Sequence, residues 1–221
     1  PEIMDESFDP ADAVDTGIIR EGVIWDCDNH LPDDEHPWAT PWTIPRLNTP
    51  EDMESIEVPD PVEVQEKFRK QLKKQFGRDF TTLQCAAQGP KMHPPFSAAG
   101  ALIGMNRLYV YVYEYPKVLK GLLDKLMKTK IVLHDYYDEL RGEKTESLGL
   151  QDDHAGFLPR KQYLEFVMPY NKRLFELYGK KHRVQHMDSK MSHIADILAD
   201  EYKANETVSY THLTLPTKRI V

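Results

Sequence analysis

The sequence predicts an α/β fold with parallel strands, because short apolar segments alternate with amphipathic helical segments along the chain. Three segments have the length and composition of buried strands, namely residues 80–87, 146–151 and 181–187. A segment with apolar residues at helical spacing follows each of them. Repetition of this order implies neighbouring parallel strands joined by right-handed crossovers.

The composition is that of a chain able to bury a core. Of its 221 residues, 40% are hydrophobic and 29% are charged, as in globular domains. The net charge of −8 argues against a nucleic-acid partner, which would need a basic surface. Cys27 and Cys85 provide no disulfide framework. Because no apolar run is long enough to cross a bilayer and no signal peptide is visible, we expect a cytoplasmic protein without a membrane partner.

The first 60 residues are rich in proline and acid, and we interpret them as an irregular N-terminal segment. Within it, residues 17–25 alternate polar and apolar side chains and predict a hairpin or an edge strand. Residues 30–50 have no period and predict an ordered loop. Thr49 followed by Pro50 predicts a helix start, with threonine as the N-cap.

Helices are predicted from apolar spacing in the rest of the chain. Val64, Phe68, Leu72 and Phe76 form one apolar stripe over residues 62–76. Pro159 suits the first turn of a helix, because its fixed φ is helical and its missing N–H has no partner there. Further helices are predicted over residues 98–113, 116–140, 159–178 and 194–202.

The most informative stretch is Asp152-Asp153-His154-Ala155-Gly156-Phe157-Leu158-Pro159, which lies between a predicted strand and a predicted helix. Polar residues at this kind of junction are typical of the sites of α/β enzymes. Together with Tyr163-Leu164-Glu165-Phe166 and Met168-Pro169-Tyr170, the stretch resembles the uroporphyrinogen decarboxylase superfamily. The resemblance extends to Gly89-Pro90, Pro95-Phe96, Gly104, Leu108-Tyr109, Tyr115-Pro116 and Val184-Gln185-His186.

This superfamily includes the decarboxylase of haem synthesis and zinc-dependent methyltransferases that use corrinoid and thiol carriers. The resemblance implies a (β/α)8 TIM barrel, incomplete here, with residues 61–207 as the partial barrel. A complete barrel usually needs about 250 residues. We therefore expect a fragment that lacks some N-terminal sequence and several βα units. Residues 208–221 resemble the translation of a sequencing-library adapter, and we interpret them as a non-native tail.

Asp152 and Asp153 are adjacent, so an extended backbone would direct their side chains to opposite faces. Crowded carboxylates favour a raised pKa in one of them, which would provide a proton donor. The alternative is that the pair caps the helix that follows. The resemblance implies that Asp152, Asp153 and His186 are catalytic and that His154 and Gly156 contact the substrate.

The resemblance also assigns substrate contact to Gly89, Pro90 and Phe96, in a glycine-proline loop and the helix after it. Prolines would make this loop a rigid rim, because they restrict φ before any ligand binds.

His186 ends a predicted strand and would face the same barrel mouth as the aspartates. In the methyltransferases of the superfamily this histidine binds zinc, together with a cysteine two residues later. Asp188 occupies that second position here, and zinc also accepts carboxylate oxygen. His186 and Asp188 are therefore the predicted metal ligands under that interpretation, and a hydrogen-bonded structural histidine is the alternative.

Three functions are consistent with these residues. The first is acid–base decarboxylation of an anionic, tetrapyrrole-type substrate without a cofactor, although the family's Arg-Gln-Ala-Gly-Arg type motif is absent. The second is methyl transfer with zinc and a corrinoid partner. The third is a truncated barrel without activity. A homodimer is left open as the assembly state.

Overall fold

The computed structural model describes residues 21–30, 42–88 and 92–209. The chain divides into two compact units, an N-terminal unit of residues 1–145 and a C-terminal unit of residues 146–221. Within the described ranges, every helix is too short or too polar to span a membrane.

The N-terminal unit is helical in its described parts. Its elements are α1 (Glu21–Trp25), β1 (Asn29–His30), β2 (Trp42–Thr43), α2 (Pro50–Ser55), α3 (Pro61–Phe76), α4 (Thr82–Gln88), α5 (Pro95–Ile103), α6 (Met105–Glu114) and α7 (Pro116–Arg141). The two short strands pair in antiparallel orientation.

The helix start at Thr49 and the helices predicted over residues 62–76 and 116–140 are confirmed, whereas the helix predicted over residues 98–113 is divided at Gly104 into α5 and α6. At the start of α2, the hydroxyl of Thr49 accepts the N–H of Asp52, and the Asp52 carboxylate accepts the N–H of Thr49 in return. In the α3 stripe Val64, Phe68 and Leu72 are buried. Phe68 and Leu72 pack with Val23, Phe80 and Cys85 in one apolar cluster, and the partly buried Phe76 packs against it. Helix α7 ends at Gly142, whose φ of 69° is the left-handed conformation that glycine adopts without strain.

Two strand predictions in this unit are wrong. Residues 21–25 form helix α1, and all five are buried. The alternation of polar and apolar residues in the sequence therefore does not correspond to one exposed and one buried face of a strand. Residues 82–88 form helix α4 instead of a strand. The N–H of Gln84 bonds to the Thr81 hydroxyl, and the Gln84 side chain accepts the Thr81 N–H. This reciprocal cap starts a helix, whereas the periodicity of a short apolar run does not distinguish helix from strand.

The C-terminal unit contains strands β3 (Ser147–Gln151), β4 (His182–His186) and β5 (Glu206–Val208), all parallel and in that order. Helices α8 (Arg160–Phe166) and α9 (Met168–Tyr178) join β3 to β4. Short 3₁₀ turns at Asp153–Phe157 and Ser192–Ile194 and a π turn at Ile197–Glu201 complete it.

The predicted parallel strands and the helical connection from β3 to β4 are therefore confirmed. Residues 194–202, predicted as an α-helix, instead contain the end of a 3₁₀ turn and the π turn Ile197–Glu201. The predicted helix over residues 159–178 is interrupted at Val167, which precedes the turn containing Pro169, because proline donates no backbone hydrogen bond. The described strands form an open three-stranded parallel sheet without barrel closure. Residues 210–221 of the predicted tail lie outside the described residues.

A buried charge holds the start of α5 to α1 in the N-terminal unit. Glu21 is fully buried, and its carboxylate accepts the backbone N–H of His93 at 2.8 Å. Both of its oxygens lie 3.1 Å from Nδ1 of the His93 ring. Burial alone would raise the pKa of this carboxyl, but the charge and hydrogen bonds of His93 lower it from 4.5 to about 2.

We expect this contact to make the fold sensitive to acid. Because the pKa of Glu21 is lower in the folded state, its stabilisation is present above about pH 4.5 and is lost as the pH falls towards about 2. The loss is on the order of 3 kcal/mol. Thermal unfolding between pH 6 and pH 3 should show a smaller decline for Glu21→Gln than for the wild type. Glu57→Gln, which removes an exposed carboxyl, is the control, and equal declines in all three proteins would contradict the prediction.

Candidate functional site

The end of the β3–β4 pair places acidic and imidazole side chains together. The parallel register pairs Gln151 with His186 and Leu150 with Gln185. Since side chains alternate between the faces of a sheet, Gln151 and His186 share one face, and Leu150 and Gln185 share the other. The loops that follow these two strand ends carry the predicted site residues.

Asp153, His186 and Asp188 form a cluster on one side of these strand ends, here called the Asp–His–Asp cluster. Nε2 of His186 lies 3.0 Å from Oδ1 of Asp188, and both side chains are partly exposed, at 35% and 44%. Oδ1 of Asp153 accepts the backbone N–H of Asp188 at 2.8 Å. One potential ligand atom from each residue lies within 4.8 Å of the other two.

Asp152 points the other way and is completely buried. Its Oδ2 accepts a 2.7 Å hydrogen bond from Nδ2 of Asn171 in α9. Its backbone N–H donates to the carbonyl of His186 at 2.9 Å, which continues the pairing of β3 and β4 beyond the strand ends. The predicted opposite orientation of the two aspartates is thus confirmed, with Asp152 on the helix-covered side.

A pair of buried tyrosines completes the surroundings of Asp152. The hydroxyls of Tyr163 in α8 and Tyr202 after the π turn lie 3.0 Å apart, and both rings are fully buried. Burial raises the pKa of Tyr163, and the charge of Asp152 raises it further. Both tyrosines are therefore neutral hydrogen-bonding groups at ordinary pH.

Sequence reasoning missed Asn171 as the partner of Asp152. The available signal was its position, because Asn171 stands four residues after Val167 and three before Leu174, both of which are buried. A polar residue on the covered face of a helix requires a hydrogen-bonding partner inside the protein.

Gly156 lies in the turn that follows the aspartates, and its lack of a side chain is required there. A Cβ atom at this position would lie 1.6 Å from Oγ of Ser189 and 2.8 Å from Sδ of Met187. Gly156 therefore lets the turn pack directly against the segment that follows β4. Its predicted contact with a substrate remains a prediction.

The other predicted substrate contacts are distributed along the chain. His154 is partly buried in the same turn as Gly156. Phe96 belongs to the N-terminal unit, where it is 1% exposed and its ring centroid lies 6.5 Å from that of Tyr109. Gly89 and Pro90 lie outside the described residues.

The Asp–His–Asp cluster has the donor types of a divalent-metal site. It offers one imidazole nitrogen and two carboxylates, a donor set that suits zinc as well as harder divalent ions. Ligands about 2 Å from a metal in tetrahedral geometry are separated by roughly 3.3 Å, close to the 3.0 Å between His186 and Asp188. Three protein ligands with partial exposure would leave a coordination position for a substrate. Asp153 adds a third potential ligand to His186 and Asp188, the two that the sequence predicts.

The family model of uroporphyrinogen decarboxylase (URO-D) matches residues 28–213. The chain belongs to this family. The match includes β3, β4 and the whole Asp–His–Asp cluster, so the resemblance inferred from the Asp-Asp-His-Ala-Gly stretch is confirmed. Membership covers more than one chemistry and does not by itself select decarboxylation.

Among solved structures, the fold of this URO-D family member is similar to that of a methyltransferase from Methanosarcina mazei, with a TM-score of 0.60 and 14% sequence identity. The likeness covers 90% of this chain and 64% of that chain, so the present chain spans less than two thirds of the neighbour. No curated protein matches the sequence. Family and neighbour together confirm an α/β fold of the TIM-barrel type.

Replacing Gly156 by alanine should destabilise the C-terminal unit, because the new methyl group would overlap the Ser189 side chain. We expect the free energy of unfolding to fall by about 2–3 kcal/mol in urea titrations. Gly121→Ala in α7 is the matched control, since a Cβ there meets no atom within 4 Å. It should raise stability by about 0.5–1 kcal/mol. Equal effects of the two changes would contradict the packing argument.

Replacing Asn171 by leucine should also destabilise the unit, because the buried carboxylate of Asp152 would lose a hydrogen bond. The expected loss is about 2–3 kcal/mol, as for bonds to charged groups. Asn205→Leu is the control, since the exposed Asn205 side chain bonds only a backbone N–H of Arg183. Urea titrations that show the larger loss for Asn205→Leu would refute the role assigned to Asn171.

Proposed function

We propose that this member of the URO-D family is a metal-dependent methyltransferase whose metal binds to the Asp–His–Asp cluster. The observation that carries this proposal is the convergence of Asp153, His186 and Asp188 at the carboxyl ends of parallel strands. This edge of a parallel sheet is where barrel enzymes place their catalytic groups. The name of the structural neighbour, a methyltransferase, favours the same chemistry.

Each cluster residue has a distinct role in this proposal. His186 supplies the nitrogen ligand, and Asp188 supplies a carboxylate from the same loop. Asp153 supplies a second carboxylate from the 3₁₀ turn after β3, and its bond to the Asp188 N–H connects that turn to the segment after β4. When bound, zinc supplies Lewis acidity that favours the deprotonated, nucleophilic form of a thiol substrate. A methylated corrinoid carrier is the partner that this reaction would need.

The carboxylate at position 188 distinguishes this cluster from the cysteine-containing site implied by the resemblance. Two carboxylates and one imidazole donate less electron density to a metal than thiolates do. Such a ligand set also binds harder divalent ions. We therefore propose zinc as the first metal to test, with manganese and cobalt as comparisons.

Acid–base decarboxylation of an anionic tetrapyrrole-type substrate is the second candidate, without any cofactor. It is favoured by the 3.0 Å contact between His186 and Asp188, because an imidazole oriented by a carboxylate is a common acid–base group in enzymes. Asp153 would then be the second acid–base group. Asp152 would act as an anchor in both proposals, because its carboxylate is fully buried against Asn171.

Metal analysis separates the two candidates. The methyltransferase proposal predicts one zinc ion per chain after loading and desalting, with at least a tenfold loss of affinity in Asp188→Asn, because a neutral amide replaces a charged ligand. Asp196→Asn is the matched control, since that exposed carboxylate pairs with Arg160 and lies outside the cluster. Absence of bound metal in the wild type would reject this proposal and leave acid–base decarboxylation as the one to test.

A further inference from the structure

Gln151 is the last residue of β3 and contacts the Asp–His–Asp cluster directly. Its Nε2 donates a 3.2 Å hydrogen bond to Oδ2 of Asp153. The register places it opposite His186, on the same face of the sheet. The Gln151 amide therefore bonds to Asp153, two residues later in the chain. Gln151 also lies opposite His186 in the neighbouring strand.

The carboxylate of Asp153 is held by two donors from different strands. Its Oδ2 accepts from Gln151 at the end of β3, and its Oδ1 accepts from the backbone N–H of Asp188 after β4. A carboxylate has about four acceptor positions. These two hydrogen bonds use one position on each oxygen, so both oxygens retain capacity for a metal ion.

Each hydrogen bond restrains a different motion of this side chain. The bond from the Asp188 N–H alone would leave the carboxylate free to rotate about Oδ1. The second bond, from Gln151, removes that rotation. Less conformational entropy of the side chain is then lost when a metal binds. Groups that orient metal ligands in this way contribute strongly to metal affinity.

A second glutamine in the same sheet gives a useful contrast. Gln185 in β4 is fully buried on the opposite face, and its amide donates to the carbonyls of Leu150 and His186. Gln185 therefore bonds to the backbone of the sheet, whereas Gln151 bonds to a side chain of the cluster. The two glutamines of these paired strands therefore have different hydrogen-bonding roles.

We propose that Gln151 is a positioning residue that orients the Asp153 carboxylate for metal binding. This inference rests on the proposed function, because it concerns the same metal site. Gln151 does not itself bind the metal or the substrate. Its amide acts through Asp153, and its removal should weaken the site while Asp153, His186 and Asp188 all remain present.

The test is zinc binding by Gln151→Leu, which keeps the approximate side-chain size but removes the donor. Zinc affinity, measured by competition with a chromophoric chelator, should fall 10- to 100-fold relative to the wild type. Gln71→Leu, the same chemical change on α3 of the N-terminal unit, is the control and should leave affinity unchanged. The visible absorption of the cobalt-loaded protein should differ between Gln151→Leu and wild type, because it reports the geometry around the metal.

A second measurement separates positioning from a general loss of structure. Thermal unfolding in excess chelator should be nearly the same for Gln151→Leu and the wild type, because the hydrogen bond is partly exposed. Wild-type zinc affinity in Gln151→Leu would overturn the inference while leaving the proposed function in place. A reduced affinity that is matched by a large fall in the melting temperature without metal would also overturn it. Failure of the wild type to bind zinc would overturn the proposed function and the inference together.

Discussion

The arrangement of the candidate site depends on one backbone hydrogen bond, from the N–H of Asp152 to the carbonyl of His186. This bond extends the pairing of β3 and β4 one step beyond the last strand residue. It keeps the backbone at Asp152 in place while the chain turns into the 3₁₀ segment that begins at Asp153. The two aspartates consequently leave the sheet on opposite sides, one towards the helices and one towards the cluster.

Because the two side chains point in opposite directions, Asp152 is buried, whereas the adjacent Asp153 belongs to the accessible cluster. Asp152 is a buried carboxyl group, which is tolerated only where hydrogen bonds replace the lost water. The amide of Asn171 provides one of those bonds. Asp153 remains partly exposed, and its hydrogen bonds from Gln151 and Asp188 orient it without covering it. The hydrogen bond between Asn171 and Asp152 thus stabilises the end of β3 on its buried side. The Asp–His–Asp cluster, on the other side, remains accessible to solvent.

Sequence reasoning succeeded where a local pattern determines the structure. The strands at 147–151 and 182–186 follow from their composition. The opposite directions of Asp152 and Asp153 agree with the prediction, although the chain leaves the extended conformation at Asp153. Helix α4 was missed because a short apolar run is ambiguous, although the Thr81–Gln84 cap was visible in the sequence. The partnership of Asp153 with Asp188 joins residues 35 positions apart. That contact requires the register between two strands, which no local pattern provides.

The opposite orientation of adjacent aspartates also limits how this loop can change in evolution. Inserting or deleting a single residue within β3 would exchange the faces of the strand residues that follow it, because side chains alternate with a period of two along a strand. A carboxylate of the cluster would then be displaced from His186 and Asp188, and the buried carboxyl would be displaced from Asn171. Substitutions can therefore alter this site gradually, whereas a change of length by one residue would displace both aspartates in a single event.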